Sequence, residues 1–130
     1  MDYLKTEFFV KENFFDLLDA LLIRGYYAYQ QYLNFGKKFF YAIIIKENNM
    51  RIAKLIVKHN HLFPVEQKND LMLILSHINS WCVQWEYLYK NSTPNLEDEF
   101  IFETLIKFPK ESLVRLDKYY FLYFNKKFTK

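Results

Sequence analysis

Apolar residues recur at three- and four-residue intervals along most of the chain, the pattern of helices that bury one face. Between residues 6 and 33 the stripe is Val10, Phe14, Leu17, Leu18, Leu21, Gly25, Ala28 and Tyr32, with Glu12, Asp16, Asp19 and Gln30 opposite. One long amphipathic helix is predicted. Gly25 falls on the apolar side, where it weakens a helix by about 1 kcal/mol relative to Ala, so its place there suits a close helix crossing. The run ends at Leu33, Asn34, Phe35, Gly36, with Gly36 in the left-handed cap position.

Residues 37–61 admit two readings. FFYAIII, KENN and MRIAKLIVKH suit a hairpin of β-branched strands around Glu47, Asn48 and Asn49. Against this, Met50, Ala53, Ile56 and Val57 share one helical face while Arg51, Lys54 and Lys58 share another. A helix is favoured, kinked at Asn48 and Asn49. Over 65–90 the period is clearest: Leu71, Ile74, Leu75, Ile78, Trp81, Cys82, Trp85 and Tyr89 form one stripe. Residues 95–108 have no clean period and are read as a short helix with Asn95 as its cap and Asp98 three residues on. Periodicity resumes over 110–124 with Leu113, Leu116, Tyr120, Tyr123 and Phe124. Pro64, Pro94 and Pro109 each stand where a first-turn residue would, the position at which a missing N–H costs least.

These elements predict an all-α fold, a compact antiparallel bundle of four to five helices in a single domain spanning 1–130, with the first and third helices supplying the main core. Composition adds a surplus. The chain holds 14 Phe, 11 Tyr and 2 Trp in 130 residues, and each buried aromatic fills about 150–250 Å². Phe, Tyr, Ile, Asn and Lys make up 60 of the 130 residues and Lys outnumbers Arg 15 to 3, as an A- and T-rich gene dictates. Part of the aromatic excess therefore reflects codon composition, and the remainder is available for an interface.

Cys82 is the single cysteine, so neither an internal disulfide nor a multi-thiolate zinc site can form within the chain. The opening MDYLKTEFFVKENFF lacks the pattern of a basic leader, and the longest apolar run, Phe39 to Ile45, is far short of the roughly 20 residues a membrane span needs. A cytoplasmic protein with no membrane partner is expected.

Reactive constellations are sparse. His59 and His61 diverge on a helix and share an ion only in a strand or loop, so no metal is expected. Glu66, Asp70, His77 and Gln84 fall on one line of the third helix, but His77 stands two turns, about 10 Å, from Asp70. Its natural role is beside Trp81 at the core edge. No strained Gly-x-Ser-x-Gly turn surrounds Ser76 or Ser80, and two glycines cannot build a phosphate loop or dinucleotide fingerprint. The Arg followed after four to six residues by His of one helical ribonuclease class is absent, since Arg51 reaches His59 only after seven. No cofactor and no catalysis are expected.

The net charge of +3 is uneven, with +5 over 34–63, −3 over 95–108 and +4 over 109–130. Lys37, Lys38, Arg51, Lys54, Lys58 and His59 form a candidate nucleic-acid edge, to which the tail lysines Lys126, Lys127 and Lys130 would add. Contacts from Arg51, Lys54 and Lys58 alone lose roughly forty-fold in affinity between 50 and 200 mM salt. Glu97, Asp98, Glu99 and Glu103 offer the same cations an acidic partner, within the molecule or across a dimer. The reading that best joins these features is a non-catalytic interaction protein, an adaptor, inhibitor or small regulatory subunit. It would dock on another protein or a second copy through Tyr26, Tyr27, Tyr29, Tyr119, Tyr120 and Tyr123. A nucleic-acid-binding helical domain is the alternative.

Overall fold

In the computed structural model the chain is described over residues 3–102 and 108–128, with side chains over 6–102 and 108–122. Four helices run in order: α1 Tyr3–Asn34, α2 Phe39–His59, α3 Val65–Ser92 and α4 Lys110–Phe128, with a 3₁₀ turn Asn60–Leu62 between α2 and α3. They form an all-α bundle, and the described residues contain no strand, only one isolated antiparallel bridge between Lys38 and Glu99.

The α1–α2 turn is short because Gly36 and Lys37 both adopt positive φ, +89° and +52°. The Lys37 N–H then reaches back to the Tyr32 carbonyl at 2.8 Å, closing the helix end with a six-to-one bond. At the other end Pro64 caps α3 from extended backbone, and Thr93 ends that helix in the left-handed region.

Asn48 and Asn49 do not reverse the chain, since α2 runs as one helix through both. Its buried face keeps Ile56 and Ala53 of the set the spacing suggested but loses Met50 and Val57. Phe39, Ala42, Ile45, Asn48, Ile52, Leu55 and Ile56 turn inward, while Met50 and Val57 are exposed. Apolar side chains cover well over half of this helix, so its neighbours decide which of them are covered. A smaller correction applies to α1, where Phe15 is buried and Leu17 exposed.

Two apolar clusters fill the interior. Phe14, Phe15, Leu18, Leu21, Ile52, Leu55, Ile56, Phe63, Leu71, Ile74, Ile78 and Leu116 join all four helices at one end. Ala28, Tyr32, Phe39, Ala42, Ile45, Trp81, Trp85 and Phe100 join α1, α2 and α3 at the other. The second helix therefore belongs to the core as fully as the first and third. Cys82 borders both clusters.

Residues 95–102 are not helical, so Pro94 opens no helix, and 103–107 lie outside the described residues. The stretch instead covers the end of the bundle that lacks α4. Its carbonyls accept the first free N–H groups of α2: Phe39 donates to Asp98 at 2.8 Å and Phe40 to Leu96 at 3.0 Å. Lys38 at the N-cap has no side-chain acceptor for those groups, so the segment supplies the cap that the local sequence lacks. Asn95 and Asp98 do pair, the Asn95 N–H donating to Asp98 Oδ2 at 2.8 Å, but they shape a turn rather than start a helix. Phe100 is anchored by Tyr32, whose hydroxyl donates to its carbonyl at 2.6 Å.

Candidate functional site

Of the six tyrosines, the five whose side chains are described separate into three groups. Tyr26 and Tyr27 stand on the outer side of α1, 61% and 64% exposed, with their rings edge to face at 5.7 Å. Ile23, one turn before, is 51% exposed. Tyr29 is also exposed but stacks on the buried Tyr32 ring at 6.0 Å, at the border of the core. Tyr119 and Tyr120 pack inward on the first apolar cluster. The Tyr120 ring meets Phe15 edge to face at 4.8 Å and its hydroxyl donates to Asp16 Oδ1 at 3.3 Å. Burial foremost, and Asp16 after it, push the Tyr120 phenol above its ordinary pKa. Tyr123 lies in α4 with its side chain outside the described residues.

The basic edge is partly neutralised within the chain. Lys38 pairs with Glu97 at 2.7 Å, and Arg51 pairs with Glu47 one turn earlier at 2.7 Å. That Lys38 hydrogen bond raises the pKa of its ammonium. Lys54 and Lys58 remain exposed on α2, whereas Lys37 is half-buried in the turn. His59 does not join them, because Nδ1 stands 3.0 Å from the Leu55 carbonyl and the ring packs 5.4 Å from Phe14. His61 is exposed on the following turn. Among the described residues no three His, Cys, Asp or Glu side chains converge to hold an ion. Lys130 and Glu103 lie outside the described residues, as do the side chains of Lys126 and Lys127.

His77 and Cys82 pack against apolar neighbours. His77 meets Phe108 edge to face at 5.4 Å. Burial raises the Cys82 thiol pKa, holding it in the less nucleophilic protonated form. No described helix is long and apolar enough to cross a membrane.

Three polar groups on apolar stripes have roles that spacing did not reveal. Asp70, 6% exposed at its side chain, is clasped by Arg115 of α4: Nε donates at 3.0 and 3.1 Å to its two oxygens and Nη2 at 2.7 Å to Oδ1. Arg115 Nη2 also donates to the buried Ser112 hydroxyl at 3.3 Å, and the Asp70 bond raises the guanidinium pKa. Asp70 and Arg115 are among the residues lining an open cleft of about 780 Å³, with Glu66, Leu73, Tyr119 and Leu122. Lys11 is buried, with Nζ 3.3 Å from Glu7, 3.2 Å from the Tyr119 hydroxyl and 5.4 Å from the Phe63 ring centre. Asn48 is the third. The available signal was a polar residue in step with the core: Asp70 precedes Ile74, Ile78, Trp81 and Trp85 at helical intervals. A buried charge at such a position needs a partner.

No family model matches the chain, and no curated protein or solved structure matches it.

Proposed function

We propose that the protein is a non-catalytic interaction protein, an adaptor, inhibitor or small regulatory subunit, whose docking face is the outer side of α1. The observation that carries this reading is the adjacent exposure of Ile23, Tyr26 and Tyr27 on a helix whose opposite side is core. Tyrosine is enriched at interfaces because it contributes a large apolar face with a polar rim and only two rotatable bonds to fix. The engagement of Cys82, His59 and His77 in packing supports a role without catalysis. Tyr119 and Tyr120 then hold α4 to α1 rather than meet the partner.

The test is affinity isolation from the native source with the wild type and a Tyr26→Ser/Tyr27→Ser variant of unchanged helicity and melting temperature. A partner captured by the wild type and lost by the variant supports the reading. Capture that ignores the substitution overturns the assignment of this face. The alternative, a nucleic-acid edge, draws support from the exposed Lys54 and Lys58, while the Glu47–Arg51 and Glu97–Lys38 pairs weaken it. It requires duplex or single-strand binding that falls on Lys54→Ala/Lys58→Ala.

A further inference from the structure

The outer side of α1 carries a symmetry in its sequence. Asn13, Asp16, Ala20, Arg24 and Tyr27 are all exposed along one line of the helix. Their spacings are three, four, four and three, so the order of intervals is the same in both directions from Ala20. A two-fold axis beside Ala20 sets α1 antiparallel against α1 of a second copy. Each residue then lies level with the one equally far on the other side of Ala20. Asp16 faces Arg24 of the second copy, Arg24 faces its Asp16, and Asn13 faces its Tyr27. Two copies in parallel would instead set Asp16 against Asp16 and Arg24 against Arg24.

Both charges are available for this. Among the described residues Arg24 makes no ion pair, and Asp16 receives the long Tyr120 bond at 3.3 Å as its one side-chain hydrogen bond. At the crossing point Ala20 has the smallest side chain after glycine, which favours the near end of the 8–10 Å range of helix separations. Leu17 and Ile23, both exposed, border the seam on its two edges. Such a face is isologous, the kind a closed two-fold dimer requires.

We infer that the partner of the α1 face is a second copy of this chain, docked antiparallel about Ala20 with reciprocal Asp16–Arg24 pairs. This rests on the interaction reading and names its partner. Sedimentation equilibrium of the full chain across the micromolar range tests it. The wild type sediments as a dimer. Asp16→Arg places cations face to face at both symmetric positions and raises the dissociation constant on the order of a hundredfold, and Arg24→Asp does the same with anions. The Asp16→Arg/Arg24→Asp double variant restores the dimer, with helicity unchanged throughout.

A monomeric wild type, single variants that dimerise normally, or a double variant that stays monomeric would each overturn the inference. The two proposals fail separately. A monomeric wild type that still captures another protein through Tyr26 and Tyr27 removes the second copy and leaves the docking face. A monomer without such a partner removes both.

Discussion

Asn48 of α2 sits directly over Gly25 of α1: its Nδ2 donates to the Leu21 carbonyl at 2.8 Å, and a Cβ at Gly25 would stand 2.8 Å from that same nitrogen. The two helices approach closely because one residue has no side chain and the other fills the space with an amide. Asn48 is fully buried, and its Oδ1 accepts no hydrogen bond from the described residues.

Gly25→Ala therefore destabilises the protein although alanine favours the helix by about 1 kcal/mol. Forcing the amide aside costs about 1–3 kcal/mol, so a net loss is expected in urea unfolding. In an Asn48→Ala background the same substitution becomes neutral or stabilising. A Gly25→Ala protein more stable than wild type would refute the close crossing.

The Asp70–Arg115 fork gives an asymmetric expectation. Arg115→Ala leaves a carboxylate buried without its counter-charge, whereas Asp70→Asn leaves an amide that still accepts from the guanidinium. Thermal unfolding at pH 7 should show the larger loss for Arg115→Ala. Equal losses would mean that the carboxylate finds another partner.

The two left-handed helix ends should respond in opposite directions to substitution. Thr93 has φ +39° and a β-branched side chain, a conformation that costs about 1–2 kcal/mol outside glycine. Thr93→Gly is expected to raise stability by up to about 1 kcal/mol, since glycine's extra chain entropy offsets part of the relief. Gly36→Ala, at φ +89°, is expected to lower it. Urea midpoints of both variants check the pair.

Cys82 sets a pH dependence. Burial raises its pKa above the ordinary value of 9.0, so the fold favours the neutral thiol. That contribution to stability is fully present below 9.0 and is lost as pH rises from there through the folded value. Removing the group by Cys82→Ala abolishes this alkaline loss. At pH 8 a thiol reagent should label the native protein more slowly than the urea-unfolded chain; equal rates would contradict the half-buried placement.

Lys11, Asn48 and Asp70 show how much of the interior could be read from the chain. Each stands in step with apolar neighbours, so its spacing marks it as facing inward. Its partner is distant: Lys11 reaches Tyr119, Asn48 reaches Leu21 and Asp70 reaches Arg115. Spacing within one helix carries no information about such pairs. Residues 95–102 had no period for a related reason, because their backbone bonds run mainly to Lys37, Phe39 and Phe40, and the local bond from the Asp98 N–H to the Asn95 carbonyl closes a turn and no helix. For the candidate surface, the tyrosines were visible as a cluster in the sequence. Their division into exposed Tyr26 and Tyr27 and inward-packed Tyr119 and Tyr120 depended on where α4 lies.

The sequence by itself determined α1, α3, α4 and the turn at Gly36, and favoured a helix over a hairpin for α2, since these rest on bonds and side-chain intervals within a few residues. Only the tertiary structure decided which face of α2 is covered, what caps its first turn and which charges are enclosed. Those outcomes depend on groups tens of residues apart, whose meeting is set by how the helices pack.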